Sequence, residues 1–189
     1  MKFIALALFF FISLGHADEV RDSPDGKYEV IYTSKILYED NLTIRMKSGG
    51  KVICRTIAST YEPNRFIELI WSPDSTLLAV ISGGTKTTSE VRIIRFHNDT
   101  AEELKLPDYH QNIYGRHKRL KGGRDSFAKH LRWENNVLSF DSEGSWTEWV
   151  SNPSDLPEDW YAYSIKLTIV DARVSLAEVN LKNRVNKRR

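Results

Sequence analysis

The sequence predicts an all-β protein whose antiparallel strands form three similar units, and three observations carry this prediction. The turn Ser23-Pro24-Asp25-Gly26 recurs as Ser72-Pro73-Asp74-Ser75, and an apolar run follows each copy. A polar turn after Trp133 repeats the pattern in a weaker form. Between these turns, short apolar or alternating runs are bounded by Gly, Pro, Asn and Asp, as is typical of strands. A β-sandwich of similar strand content is the alternative fold.

Residues 1–17 have the pattern of a secretory signal peptide. Lys2 precedes an apolar run from Phe3 to Leu14, and the small residues Gly15 and Ala17 occupy the positions that a signal peptidase reads. The run is shorter than the roughly 20 residues that span a bilayer. We therefore expect cleavage between Ala17 and Asp18, export to the periplasm or the extracellular space, and no transmembrane anchor.

The composition is that of a globular domain, which we place at 18–189. Apolar residues make up 41% of the chain and aromatic residues 11%, which excludes a disordered protein. The formal net charge of +2 gives no reason to expect nucleic-acid binding. Cys54 is the single cysteine, so an intramolecular disulfide is excluded. Its apolar neighbours predict a buried structural thiol, and an intermolecular disulfide is the alternative.

Each unit is predicted to be a series of strands, with approximate unit bounds of 18–60, 61–108 and 125–180. The second unit is the clearest, because Leu77 to Ser82 is apolar almost throughout and is predicted to be buried on both faces. The first unit is predicted to lack its opening strand. The segment from Leu176 to Asn186 fits either a strand or a terminal helix. The predicted strands are 28–34, 42–47, 52–57, 66–71, 77–82, 91–96, 101–106, 127–133, 137–140, 163–170 and 173–179.

Trp71 to Val80 reads Trp-Ser-Pro-Asp-Ser-Thr-Leu-Leu-Ala-Val and resembles the WD40-like repeat of TolB-type β-propellers. In that family the motif forms the turn between the first two strands of a blade. Ser23 to Ile31 is similar, with Asp22 in the Trp position, whereas the Trp133 unit has no Ser-Pro-Asp. The resemblance implies a partial propeller of three four-stranded blades and protein–protein interaction through blade loops. Since closed propellers have at least four blades, it also implies an open arc or a ring completed by a second copy.

Basic residues are concentrated in two places. Seven Lys or Arg stand against one acid between Tyr109 and Arg132, and five against none in the tail 182–189. We predict a basic loop over 109–124, in which Arg116, Lys118, Arg119, Lys121 and Arg124 are the candidate anion-binding residues. Cations interleaved with Tyr and His could bind an anionic polymer, because the cations neutralise its charge and the rings stack on it. The alternative is a solvated loop that neutralises the protein's own acidic surface.

Asp141 to Tyr163 is an acidic stretch that contains three of the five tryptophans. Pro153 and Pro157 predict an ordered loop. Aromatic faces stack on sugars and peptides, and nearby carboxylates accept their hydrogen bonds. Glycan or partner binding is one interpretation, and a loop folded over its own tryptophans is the other. The candidate binding residues are Trp146, Trp149, Trp160, Glu143 and Glu148.

The sequence contains no motif that predicts catalysis. It has no Gly-x-Ser-x-Gly, no His-Glu-x-x-His and no Gly-rich phosphate loop. No catalytic residue, metal site or cofactor is predicted, and Glu143 with Glu148 is the one carboxylate pair to consider for glycoside hydrolysis. We expect a non-enzymatic binding or scaffolding protein with a protein partner. Asn41 and Asn98 begin glycosylation sequons, which matter only in a eukaryotic source.

Overall fold

The computed structural model describes residues 19–34, 40–59, 68–85, 88–116, 123–146 and 159–186, which hold twelve strands and one helix. Residues 1–18, with the predicted signal peptide and cleavage site, lie outside these ranges. The elements are β1 (Glu19–Asp22), β2 (Tyr28–Ser34), β3 (Asp40–Met46), β4 (Val52–Ser59), β5 (Glu68–Trp71), β6 (Leu77–Thr85), β7 (Thr88–His97), β8 (Thr100–Glu103), α1 (Tyr109–Arg116), β9 (Gly123–Glu134), β10 (Val137–Trp146), β11 (Asp159–Val170) and β12 (Arg173–Asn186).

The strands form three consecutive antiparallel meanders of four strands: sheet 1 (β1 to β4), sheet 2 (β5 to β8) and sheet 3 (β9 to β12). Single parallel pairs, Ser59 with Gly83 and Thr88 with Ser126, connect each sheet to the next. The predicted all-β, antiparallel class is confirmed. The first unit does have an opening strand, β1, which pairs with β2 from Glu19 to Asp22, so that prediction was wrong.

Sheet 2 is the middle layer, and its segment Leu77–Ser82 is buried on both faces, as predicted. Leu78 and Val80 pack with residues of sheet 1. Leu77, Ala79 and Ile81 point the other way and pack with residues of sheet 3 and α1. Because side chains alternate along a strand, a run buried on both faces must be apolar at successive positions.

The outer faces of sheets 1 and 3 are polar. Arg45 Nε lies 2.6 Å from Glu29 on sheet 1. Lys166 Nζ lies 2.8 Å from the Glu178 carboxylate on sheet 3. Among the described strands, none of sheet 1 pairs with any of sheet 3, so the three sheets form an open series with a charged face at each side.

Three segments differ from the sequence prediction. The predicted basic loop 109–124 begins as helix α1, because Tyr109 and Ile113, four residues apart, are both buried against sheet 3. The predicted loop 141–163 belongs to β10 up to Trp146 and to β11 from Asp159. Residues 176–186 are strand, within β12. In the described ranges, no helix has the length and apolarity to span a membrane.

The two ends of the stack differ in their connections. At one, which we name the turn end, the hairpins close through short turns at 23–27, 47–51, 72–76, 98–99, 135–136 and 171–172. At the other, which we name the loop end, strands connect through 35–39, 60–67, 86–87, 104–122 (which includes α1) and 147–158. All the candidate residues in the basic and Trp-rich segments belong to connections or strand ends at the loop end, except Glu143.

Candidate functional site

The Ser-Pro-Asp turn of sheet 2 is held by its own side chains. Ser72 Oγ donates to Asp74 Oδ1 at 2.7 Å and accepts from Leu77 N at 2.9 Å. Asp74 Oδ1 also accepts from Thr76 N at 3.1 Å. Burial raises the pKa of Asp74, but the hydrogen bonds from Ser72 and Thr76 outweigh it, and the pKa lies below its ordinary value.

The turn of sheet 1 repeats this network atom for atom. Ser23 Oγ donates to Asp25 Oδ1 at 2.7 Å and accepts from Tyr28 N at 3.0 Å. Gly26 and Ser75 occupy the same position in their turns, with φ of 69° and 62°. Ser75 Oγ accepts from Asp25 N at 3.0 Å, so its side chain joins the two turns directly.

The space between sheets 1 and 2 is filled at the turn end. Tyr28, Trp71 and Phe96 form an aromatic cluster there, with the Phe96 ring centroid 5.0 Å from each of the other two. The Tyr28 hydroxyl donates to Asn98 O at 2.8 Å and fixes the β7–β8 turn. No room for a ligand remains between these three rings.

The space between sheets 2 and 3 is open at the same end. A groove of about 500 Å³ runs between the 72–76 turn and β7 on one side and the 135–136 and 171–172 turns on the other. Leu77 and Ile169 form its buried floor. The groove is lined by Ser72, Pro73, Asp74, Thr76, Leu77, Arg95, Asn135, Asn136, Ile169, Asp171 and Ala172.

Two polar groups of the groove have no partner in the described part of the chain. Arg95 makes an ion pair with Glu102 through Nη2, but its buried Nε finds no acceptor. Asp171 is exposed and makes no hydrogen bond or ion pair with a described residue. Asn136, by contrast, is tied to β11, because Ile169 N donates to its carbonyl oxygen at 2.9 Å.

The turns on the sheet 3 side are in the left-handed region of the backbone. Asn135 has φ of 53°, Asp171 of 47° and Ala172 of 66°. Asn and Asp tolerate this conformation, whereas alanine is strained there. Strained positions of this kind often accompany binding surfaces. The sequence identified 171–172 as a turn but gave no sign that a groove lies beside it.

Below the groove, β5 is fastened to β9. Residues His130 and Leu131 both lie opposite Phe140, where the register shifts, and His130 has φ of 59°. The Glu68 carboxylate accepts from the backbone N–H of His130 at 2.8 Å and of Leu131 at 2.6 Å. Trp133 Nε1 donates to Ile70 O at 3.1 Å. These bonds fix the distance between the walls of the groove.

The Trp-rich candidates are only partly within the described residues. Trp149 and Glu148 lie outside them, and for Trp146 and Trp160 only the backbone is described. Trp146 pairs with Asp159, and Trp160 with Ser145, so the two tryptophans are offset by one position. Positions offset by one belong to opposite faces of a sheet. The register therefore does not bring Trp146 and Trp160 together on one face.

Glu143 lies on the outer face of sheet 3, where its carboxylate is 2.8 Å from Lys129 Nζ. On the same face, Asp141 Oδ2 is 2.8 Å from Lys182 Nζ and 3.1 Å from His130 Nδ1. Burial raises the pKa of Asp141, but the hydrogen bonds from Lys182 and His130 outweigh it and lower the pKa overall. Glu143 is thus part of a set of cross-strand ion pairs, and its nominated partner Glu148 is outside the described residues.

The basic candidates are only partly within the described residues. Lys118, Arg119 and Lys121 lie outside them; Arg116 ends α1, and Arg124 stands at the start of β9. Gly123 pairs with Trp146, and Trp160 with Val185, so the start of β9 and the end of β12 are at the same end of the sheet, on its two opposite edges. Anion binding by the basic candidates stays a prediction.

Cys54 is half-buried beside the core between sheets 1 and 2, and burial raises the pKa of its thiol. In the described ranges, no three His, Cys, Asp or Glu side chains are grouped to hold a metal ion. His117 lies outside those ranges.

No protein-family model matches this chain, and no curated protein is significantly similar to it in sequence. The resemblance of Trp71–Val80 to the TolB-type repeat therefore stays a prediction.

Proposed function

We propose that this chain is an exported, non-enzymatic binding protein that holds a peptide segment of a partner protein in the groove at its turn end. One observation carries the proposal. The repeated turns close the space between sheets 1 and 2 with three aromatic rings, yet leave a groove of about 500 Å³ between sheets 2 and 3. The Ser-Pro-Asp turn of sheet 2 thus has the aromatic cluster on one side and the groove on the other.

The groove has the volume of a ligand site. About 500 Å³ falls within the range of roughly 300–1,000 Å³ that is typical of such sites. An apolar floor of Leu77 and Ile169 lies beneath a polar rim. The Arg95 side chain, which is 36% exposed, adds guanidinium N–H donors to that rim.

A peptide fits this lining better than a sugar does. Among the described residues, no aromatic ring lines the groove on which a sugar would stack. The rim instead offers two Asn amides, a guanidinium and two carboxylates. These groups complement the N–H and C=O groups of an extended main chain.

The repeated turns supply the experiment with a matched control. Thr76 lines the groove, and Lys27 is its counterpart in the first turn, with a side chain 70% exposed to solvent. We would select a random heptapeptide library, displayed on phage, against the wild-type chain. The enriched peptides would then be measured on Thr76→Trp, which fills the groove, and on Lys27→Trp.

We expect the enriched peptides to bind wild type and Lys27→Trp equally and to lose at least about tenfold in affinity for Thr76→Trp, since a bulky ring occupies the site. Circular dichroism and the urea midpoint would establish that both variants fold. Equal binding to all three chains would place the site elsewhere. If no peptide of the library is enriched, the proposal of peptide binding is overturned.

A further inference from the structure

The charges around the groove favour one class of peptide, an inference that rests on the function proposed above. Asp74 and Asp171 stand on opposite walls of the groove. Among the described residues of the lining, Arg95 is the one cation, and it is already paired with Glu102. Because the Arg95–Glu102 pair is neutral, the carboxylates of Asp74 and Asp171 are not compensated. Their negative charge attracts a cationic ligand and repels an acidic one.

The two carboxylates have different tasks. Asp74 is occupied by Ser72 and Thr76 and holds its turn together. Asp171 has no partner among the described residues and stands exposed in the 171–172 turn. Asp171 is thus the carboxylate that is available to pair with a ligand cation, and Asp74 adds to the negative field.

Arg95 suits a neutral acceptor. Its charge is balanced by Glu102 through Nη2, and the side chain is 36% exposed in the lining of the groove. A main-chain carbonyl of the ligand accepts from the exposed part of this guanidinium without bringing a second negative charge between Asp74 and Asp171. An acidic side chain at this position would face both carboxylates.

The spacing of the turns sets the length of the contact. The 135–136 and 171–172 turns close successive hairpins of sheet 3, two strand spacings or about 10 Å apart. An extended chain covers that distance in about three residues at roughly 3.3 Å each. The floor of Leu77 and Ile169, with Ala172 beside it, accommodates an aliphatic side chain between the polar contacts.

We propose that the groove is a receptor site for a short extended segment of basic and aliphatic residues. The Lys or Arg side chain of the segment pairs with Asp171, and a main-chain carbonyl accepts from the exposed part of the Arg95 guanidinium.

The test uses three mixtures of capped hexapeptides that hold Lys, Gln or Glu at one fixed position and equal parts of Ala, Val and Leu at the others. Binding to the ¹⁵N-labelled chain is followed by NMR through the Ala172 amide and the Arg95 Nε–H signals. Asp171→Asn is the test variant, because Asn tolerates the left-handed backbone at that position. Asp99→Asn, an exposed turn carboxylate outside the groove lining, is the control.

We expect the Lys mixture to bind about three- to fivefold more tightly than the Gln mixture, as an exposed ion pair allows, and about tenfold more tightly than the Glu mixture. Asp171→Asn should abolish most of the preference for Lys over Gln, and Asp99→Asn should leave it intact. Equal shifts of the groove signals by all three mixtures would overturn the basic preference and leave peptide binding standing. No shift of these signals by any mixture would overturn both.

Discussion

At the scale of single residues, hydrogen bonds to carboxylates decide the electrostatics of this protein more than burial does. Asp25, Asp74 and Asp141 are each subject to burial, which raises the pKa, and each has a pKa below its ordinary value. In the turns, the outweighing groups are a Ser hydroxyl and backbone N–H. At Asp141 they are Lys182 and His130. Each of these carboxylates therefore stabilises the folded chain in its ionised form.

Asp141 predicts a specific loss of stability in acid. Its pKa is lower in the folded chain than in the unfolded chain, so its stabilising effect is complete above the ordinary aspartate value of 3.8 and is lost as the pH falls through the folded value. The side chain is only 12% exposed, and its replacement leaves Lys182 without its partner. We expect Asp141→Asn to lower the free energy of unfolding at pH 7 by about 1–3 kcal/mol.

The measurement is the urea midpoint between pH 7 and pH 2.5. The difference between Asp141→Asn and wild type should shrink below pH 4, because the wild-type carboxyl is then protonated as well. Asp99→Asn, whose carboxylate is 56% exposed, should follow the wild-type profile throughout. A constant difference between Asp141→Asn and wild type at all pH values would contradict an ionic role for Asp141.

At the scale of the elements, the sequence predicted strands well wherever turn residues punctuate apolar runs. The Ser-Pro-Asp turns and the doubly buried Leu77–Ser82 follow from local rules, and β2, β6 and β7 are close to their predicted bounds. The ends of β10 and β11 were missed because acidic and aromatic residues there suggested a loop, although register with the neighbouring strand extends both. Helix α1 was missed because, among its described side chains, two belong to the core cluster, Tyr109 and Ile113.

The irregularity in β9 is the element-scale feature that no local pattern predicts, since it depends on Glu68, more than sixty residues away in sequence. The Glu68 carboxylate accepts two backbone N–H groups that the register shift leaves outside the ladder. Gln offers one acceptor oxygen and would direct an N–H₂ donor at the second N–H. We expect Glu68→Gln to lower the free energy of unfolding by about 1.5–3 kcal/mol, as for hydrogen bonds to a charged group.

Urea unfolding measures this loss, and hydrogen exchange of the His130 and Leu131 amides locates it. Glu90→Gln removes an exposed carboxylate from β7 and should change the unfolding free energy by less than about 0.5 kcal/mol. Faster exchange confined to those two amides would identify local opening of β9. Unchanged exchange and an unchanged midpoint would mean that the two bonds are not stabilising.

At the scale of the whole molecule, the groove could not be predicted because it arises between units. The apolar pattern indicates which face of each strand is buried but not how far two sheets stand apart at one end. Two aromatic residues, Trp71 and Phe96, fill one side of sheet 2, whereas Arg95 leaves the other side open. The difference arises because Phe96 and Arg95 lie on opposite faces of β7. The order in which the sheets stack determines which of these faces meets sheet 1 and which meets sheet 3.

The polar outer faces of sheets 1 and 3 predict that the chain is a monomer and does not complete a ring with a second copy. A further sheet packed on either face would bury ion pairs such as Glu29–Arg45 or Lys166–Glu178, and desolvation of buried pairs opposes association. In the part of the chain that the structure describes, large exposed apolar residues are few and scattered: Val20 and Val52 in sheet 1, Val170 and Leu181 in sheet 3. Such isolated residues do not form an interface.

Light scattering should give the monomer mass at both low and moderate salt. The double variant Lys166→Leu/Glu178→Leu, which makes the outer face of sheet 3 apolar, should associate under the same conditions. A wild-type dimer that persists at both salt concentrations would contradict the prediction and show that the charged faces are compatible with packing.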